Sequence, residues 1–442
     1  MADVGSKQNF DWQKLYVKAT DKIMGDEDCA FRSLLTAAPP LLNCDHGDPT
    51  MFEAYWNAHK DDHVKVGYAN DTLSYFVKSK EQEGCPWFVS ALLDDAIREL
   101  HSFVGNAVTG DRAIVVGNGS TQLFQAALYA LATRDGTSTP VVSEAPFYSA
   151  YREIIDYLQS KLFHWAGDSK TFHPKANETF IEMVTTPNNP CGTMREGLGL
   201  GDKGTIVHDL AYYWPTYVPI ISSFDSDVML FTLSKCTGHA GLRIGWAVVK
   251  NPAVAKKMAE FVALNTIGLA QDAQSRAAGL IRTVIRGYGG KRRQDHCIAD
   301  DNFEISLSDP KYLLAHEIRI TEALLAKKFF HWSRQVMESR WVKVRSALAG
   351  NKNFSLQNNV ASATHTFSTC TFSGTSHSTY PAFIWLKCEK EGTDCQMILK
   401  RNGILGRNGA LFGVSTQYAR LSLLDHEPAV DLLVERLTTL EC

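Results

Sequence analysis

Thr232-Leu-Ser-Lys235-Cys-Thr-Gly-His-Ala-Gly-Leu-Arg243-Ile-Gly-Trp246 sets one lysine between a hydroxyl residue three positions before it and an arginine eight positions after it, among glycines. Such a run suits a phosphorylated aldehyde: the amine bonds the carbonyl carbon, while hydroxyl and guanidinium meet the phosphate. Read alone, it is also compatible with a plain loop whose glycines form the turn. The flanks place it in the fold. Val228-Met-Leu-Phe-Thr232 before it and Arg243-Ile-Gly-Trp-Ala-Val-Val249 after it read as buried strands, so the lysine occupies a connection at a strand's carboxyl end.

Working outward, apolar residues recur at helical spacing from Trp87 to Val104 (Phe88, Leu92, Leu93, Ile97, Leu100, Val104), predicting an amphipathic helix. Ala113-Ile-Val-Val-Gly117 predicts a short buried strand, and Gln122 to Leu131 a helix packed on it. Thr139–Ser143, Phe180–Thr185 and Thr205–His208 predict further strands. Long helical stretches follow over Pro252–Ile285 and Ala323–Leu348, then strands Pro381–Leu386 and Tyr418–Leu424. Short apolar strands separated by helices predict an α/β chain: a large domain with a mainly parallel central sheet flanked by helices, plus a smaller α/β domain. In such a sheet a ligand lies beyond the carboxyl ends of the strands.

Candidate ligand groups stand at those ends. Gly117-Asn-Gly119-Ser120-Thr121-Gln122 joins a strand to a helix and aims backbone N–H groups and two hydroxyls at one point, where a phosphate fits; an ordinary N-capped turn is the alternative. Tyr148 follows the next strand and can lay its ring on a flat heterocycle, or simply join the core. In Thr186-Pro-Asn188-Asn189-Pro190-Cys-Gly192 two prolines and a glycine fix the backbone, so that Asn189 can donate to a ring oxygen. Asp209 ends another buried strand, where an unpaired carboxylate is costly unless a cation meets it. A protonated pyridine nitrogen is such a cation; a salt bridge to lysine or arginine is the alternative. Tyr212, three residues on, can reach the same ring oxygen as Asn189. Phosphate turn, stacking aromatic, asparagine, aspartate with tyrosine, then Thr232, Lys235 and Arg243 together describe a pocket for pyridoxal 5'-phosphate.

Composition narrows the class. With 442 residues the chain exceeds what one hydrophobic core usually serves, so two domains with a site between them are expected. A net charge of −3 gives no bias toward nucleic acid or membrane, and Lys291-Arg292-Arg293 is too short for a binding patch. The 10 cysteines form no CxxC pair or zinc-type cluster, so no metal is expected and the thiols read as free in a reducing compartment. Met1-Ala-Asp-Val-Gly-Ser-Lys7 lacks the charged-then-apolar pattern of a secretory leader, which makes a cytosolic location the expectation.

Asp45-His-Gly-Asp-Pro-Thr-Met-Phe-Glu-Ala-Tyr-Trp56, Val115-Val-Gly-Asn-Gly-Ser-Thr-Gln-Leu123, Pro187-Asn-Asn-Pro-Cys-Gly-Thr193, His208-Asp-Leu-Ala-Tyr-Tyr-Trp-Pro215 and the lysine segment together resemble the plant tryptophan aminotransferase-related and alliinase family, fold type I enzymes dependent on pyridoxal 5'-phosphate. The resemblance runs from about Leu41 to the C-terminus with one interruption. It implies that Lys235 bonds the cofactor aldehyde, Asp209 pairs with the pyridine nitrogen, Asn189 and Tyr212 contact the ring oxygen, and Tyr148 stacks. It also implies that Ser120, Thr121, Thr232 and Arg243 surround the phosphate. Further implications are a homodimer in which Tyr75 reaches the partner's phosphate, Gly47 close to the substrate, and Arg420 gripping its carboxylate. A two-pronged guanidinium suits that carboxylate on physical grounds as well.

The implied reaction is transfer of the amino group from L-tryptophan to pyruvate, giving indole-3-pyruvate and alanine, the first step of auxin synthesis in plants. A cytosolic lyase cleaving the C–S bond of cysteine sulfoxides is the alternative, and a cofactor-binding relative without activity a third reading. The expected organisation is an N-terminal segment to residue 70 that joins the small domain and the dimer contact, a large domain over 71–285, and a small domain over 323–442. Between the last two, 286–322 interrupts the pattern and resembles an insertion; none of the cofactor groups lies in it.

Overall fold

The computed structural model describes residues 40–59, 86–133, 136–198, 204–288, 328–357 and 368–441. After a two-residue strand β1 (Leu42–Asn43) come β2 (Ala113–Asn118), β3 (Thr139–Ser143), β4 (Phe163–Asp168), β5 (Phe180–Thr185), β6 (Gly204–Asp209), β7 (Val228–Thr232) and β8 (Ile244–Val249). The last seven form one sheet in the order β2-β8-β7-β6-β5-β3-β4. β3, β5, β7 and β8 are buried at every position, as strands covered on both faces must be. Helices Gly119–Leu131 and Pro252–Thr266 pack on each other, as do Ala91–Val104 and Gln271–Arg286.

The sheet is mixed. β3 to β7 run parallel to one another, but β8 is antiparallel to both its neighbours, β2 and β7. Apolar runs do not reveal strand direction, so the sequence could not show this reversal. Its consequence is functional: the start of β8 lies at the same sheet edge as the ends of β2 and β7, because Ile244 pairs with Asn118 and Gly245 with Thr232. Arg243 is thereby delivered to that edge.

A second sheet collects β9 (Phe354–Leu356), β12 (Phe383–Cys388), β14 (Arg407–Asn408) and β15 (Tyr418–Ser422) in the antiparallel order β14-β15-β12-β9. The short strands β10 (Ser368–Thr369) and β11 (Ser376–His377) pair with each other, and β13 (Ile404–Leu405) pairs in parallel with β1. The N-terminal residues thus join the C-terminal part of the chain. Helix Phe329–Leu348 packs on Glu427–Thr438, and Arg340, buried between them, bonds the carbonyls of Leu423 and Asp425 and the Glu427 carboxylate at 2.8 Å. Burial of that cation is tolerable because three acceptors meet it.

Several expectations need correction. The stretch Pro252–Ile285 is two helices, Pro252–Thr266 and Gln271–Arg286, because Ile267 and Gly268 adopt φ of 53° and 84°, a left-handed exit that no α-helix continues through. β4 was hidden because it is an edge strand with one fully buried residue, Phe163, and no clean alternation. Strand Pro381–Leu386 is shifted to Phe383–Cys388. Tyr75 and residues 289–322 of the expected interruption fall outside the described residues. Among the described residues no helix is long and apolar enough to cross a membrane.

Under the sheet edge lies a buried polar thread. Trp246 Nε1 donates to His101 Nε2 at 2.8 Å, His101 Nδ1 donates to Asn106 Oδ1 at 2.8 Å, and Asn106 Nδ2 donates to the Tyr213 carbonyl at 2.8 Å. The imidazole is neutral in this arrangement, and burial lowers its pKa to about 4. The thread ties β8 to the loop that follows β6, two of the elements that carry site residues.

Candidate active site

Loops from the ends of β2, β3, β5, β6 and β7 and from the start of β8 meet β14, β15 and the Asp45–Gly47 turn around a cavity of about 300 Å³. Ser120, Thr121, Tyr148, Asn189, Asp209, Tyr212, Thr232, Lys235, Arg243, Gly47 and Arg420 all line it. Asp45, Tyr151, Ser234, Phe383 and Arg407 line it too, and sequence reasoning did not single them out.

One end is built for an anion. Helix Gly119–Leu131 opens there with Ser120 and Thr121 in its first turn, where backbone N–H groups lack intrahelical partners. Gly119 has φ +77°, and a Cβ on it would sit 2.5 Å from Arg243 Nη2, so the guanidinium lies directly over the helix start. Gly245 is equally constrained: its Cβ would meet the Ser120 nitrogen at 2.5 Å. Arg243 itself sits at φ +54°, in the left-handed region that non-glycine residues adopt infrequently. The Thr232 hydroxyl caps the four-residue helix Leu233–Cys236, accepting from the Ser234 nitrogen at 3.2 Å. Thr232 therefore orients the turn that carries Lys235, and Ser234 adds the further hydroxyl.

Lys235 Nζ donates to the Gly47 carbonyl and lies 5.8 Å from the centroid of the Tyr212 ring. A Cβ on Gly47 would come within 3.3 Å of the amine and 3.2 Å of the Phe383 ring, so glycine lets backbone approach there. Two bonds fix the lysine's turn: Tyr217 Oη to the Lys235 carbonyl at 3.2 Å and Trp56 Nε1 to the Thr237 carbonyl at 2.8 Å. Burial, and after it the positive charge of Arg420, lower the amine's pKa from 10.5 to about 8. A lysine so placed is partly neutral, hence nucleophilic, near physiological pH.

Asp209 is buried at the end of β6. Tyr151 Oη donates to its Oδ2 at 2.9 Å and the Ala211 nitrogen to its Oδ1 at 3.2 Å, and no cation pairs with it among the described residues. The expected alternative of a salt bridge within the chain is therefore not what the described residues show. Burial raises the carboxyl's pKa, while Tyr151 and the Ala211 amide act against that shift. Tyr151 lies three residues after Tyr148, in the first turn of helix Ala150–Leu158.

Of the two adjacent asparagines, Asn189 faces the cavity. Asn188 instead donates to the Pro146 carbonyl at 2.8 Å and fixes the loop. Arg420 Nη1 donates to Asn189 Oδ1 at 3.1 Å, which settles the amide's orientation and leaves Nδ2 as its donor. Arg420 also donates through Nη2 to the Asp45 carbonyl at 2.5 Å, and Phe383 lies under its guanidinium at 4.2 Å. Its Nε is buried without a partner, and no carboxylate pairs with it among the described residues. Burial lowers its pKa to about 10, with Arg407 as the next cause. Arg407 by contrast has a counter-ion: its Nε meets Asp45 Oδ1 at 2.5 Å and its Nη1 meets Ser149 Oγ at 3.1 Å.

Pyridoxal 5'-phosphate fits these groups. The helix start with Arg243 suits its phosphate, the low-pKa amine its aldehyde, and the Asn189 amide its ring oxygen. The buried carboxylate that lacks a cation suits its ring nitrogen. Comparisons with known proteins agree. The allinase family matches residues 42–305 and 313–441, a break that falls within the interruption expected over 286–322. Tryptophan aminotransferase-related protein 1 of Oryza sativa subsp. japonica is 41% identical over 90% of this chain and 83% of its own. Alliin lyase 1 of Allium sativum is 32% identical over 88% of this chain and 72% of its own. A methionine aminotransferase structure from Escherichia coli superposes with a TM-score of 0.58 at 14% identity, covering 94% of this chain and 97% of that one, and so shares the fold type I architecture. Matched by one family over most of its length and at this identity to members of that family, the chain belongs to the allinase family of pyridoxal 5'-phosphate-dependent enzymes.

Proposed function

We propose that the protein is an aminotransferase that takes the amino group of L-tryptophan and passes it to pyruvate, giving indole-3-pyruvate and alanine. The observation that carries this reading is the placement of three groups on one cavity: the Lys235 amine, the cation-free Asp209 carboxylate and the carboxylate-free Arg420 guanidinium. When bound, the cofactor supplies an electron sink that stabilises negative charge at the substrate Cα.

The chain's own residues do the rest. Asp209, held by Tyr151 and the Ala211 amide, keeps the ring nitrogen protonated; each partner offsets the other's desolvation. Ser120, Thr121, Thr232 and Arg243 hold the phosphate, with the Ser234 hydroxyl beside them, and Thr232 also orients the lysine turn. Asn189 Nδ2 and Tyr212 hold the ring oxygen, while Tyr148 flanks the ring. Arg420 takes the substrate carboxylate, its Nε and one edge facing an anion that the described residues do not provide. With the carboxylate fixed there, Lys235 Nζ takes the proton from Cα, which a lysine titrating near 8 can do. Phe383 and Tyr212 offer aromatic surface for an indole.

A homodimer goes with this reading. Trp87, Leu264 and Ile267 expose apolar surface, and the last turn of helix Pro252–Thr266 reaches the phosphate helix, where Gln122 Nε2 donates to Asn265 Oδ1 at 2.9 Å. A second copy covering this face would bring its own residues near the phosphate, the role proposed for Tyr75.

The 41% identity to tryptophan aminotransferase-related protein 1 of Oryza sativa, against 32% to alliin lyase 1, supports transfer over C–S cleavage. Product analysis separates them. Tryptophan with pyruvate should yield indole-3-pyruvate and alanine in equal amounts and nothing without pyruvate. Pyruvate and ammonia released from S-alkyl-cysteine sulfoxide with no keto acid present would replace this reading by the lyase, and inertness toward both by the non-catalytic one.

A further inference from the structure

We propose that the Asp45–Arg407 ion pair sets the number of carboxylates the site accepts at one, excluding dicarboxylic keto acids and dicarboxylic amino acids. The inference rests on the reading of Arg420 as the seat of the substrate carboxylate. The register of the small sheet sets Arg407 on β14 directly opposite Arg420 on β15. Like charges directly opposite each other across two strands are unfavourable, and both side chains face the same cavity. Asp45 reconciles them. Its carboxylate takes Arg407 Nε at 2.5 Å, while its backbone carbonyl takes Arg420 Nη2 at 2.5 Å.

Among the described residues, the charged side chains that meet at this end are two guanidiniums and one carboxylate, which leaves a single positive charge for an incoming anion. That charge resides on Arg420, whose Nε is buried without a partner, and not on Arg407, which is already neutralised. A ligand with a second carboxylate has to approach Arg407 beside the Asp45 oxygens, where the attraction of one is cancelled by the repulsion of the other. The pair is reachable by such a ligand: the side chains of Arg407 and Asp45 are 27% and 32% exposed. A neutral side chain meets no such opposition. Asp45 is thus a specificity-determining residue that acts on ligand charge, and an asparagine there would turn Arg407 into a second carboxylate seat.

The test is calorimetric binding of propionate and of succinate to the cofactor-loaded protein, a readout that needs no turnover. Wild type should bind succinate no more tightly than propionate. Asp45→Asn keeps the backbone carbonyl that Arg420 uses and should raise succinate affinity about tenfold relative to propionate, the value of one partly exposed charge pair. Arg407→Gln leaves Asp45 unopposed and should weaken succinate more than propionate; the double variant should lose the gain. Equal changes for both ligands in either single variant, or a gain that survives in the double variant, would overturn the proposal. Arg420→Gln separates the two levels. Loss of propionate binding supports the seat on which the inference rests, and retained binding removes that seat and the inference with it.

Discussion

Lys235 should titrate near 8 rather than near the ordinary lysine value of 10.5, and Arg420 should be part of the reason. At pH 7 a pKa of about 8 leaves ~9% of the amine neutral, against ~0.03% at 10.5, a difference of roughly 300-fold in nucleophile. Burial is the larger cause and the Arg420 charge the next, so Arg420→Gln should move the titration upward toward 10.5. The assay is arylation of the cofactor-free protein by fluorodinitrobenzene from pH 6 to 11, with the Lys235 peptide followed by mass spectrometry. Its rate should rise in proportion to hydroxide up to about pH 8 and level off above. The same shift fixes a sign for stability. Between about 8 and 10.5 the unfolded chain binds the proton that the folded chain releases, so the cofactor-free protein should gain up to about 3 kcal/mol as pH rises through that window, and none of it below 8. A Lys235 rate that keeps climbing to pH 10, with no response to Arg420→Gln, would refute the reasoning.

Other consequences are direct. Asp209→Asn should abolish turnover yet stabilise the cofactor-free protein at pH 7 in urea unfolding, because a raised carboxyl pKa contributes stability below 3.8 that is lost as pH rises through the folded value. Tyr151→Phe removes the 2.9 Å hydrogen bond that holds the Asp209 charge; at about 1.5 to 3 kcal/mol it should weaken cofactor binding ten- to a hundredfold and move the acid limb of the activity profile to higher pH. Gly245→Ala drives a methyl against the Ser120 nitrogen and the Gly119 carbonyl carbon, which should cost about 1 to 3 kcal/mol in thermal unfolding and loosen the phosphate grip together.

Much of this site was legible because its groups stand next to strong local signals. Thr232, Lys235 and Arg243 flank two apolar runs, and Asp209 ends a third, so pattern alone put them at strand ends. Prolines beside Asn188 and Asn189 marked a fixed loop, from which Asn189 was read as the donor, but not what orients that amide; that depends on Arg420, 231 residues away. Asp45 and Arg407 carried no signal of their own, since an aspartate in a turn and an arginine in a two-residue strand look like surface charge. Their meaning comes from the β14–β15 register and a contact across 362 residues, neither of which periodicity encodes. The reversal of β8 and the break at Ile267 were hidden for the same reason: direction and a left-handed exit leave no apolar pattern.

The most direct test of the central claim is borohydride reduction of the cofactor-loaded protein followed by peptide mass mapping. A pyridoxyl-phosphate adduct on Lys235 and on no other lysine is the predicted result. An adduct on a different lysine, or a loaded protein that borohydride leaves without any covalent label, would contradict it.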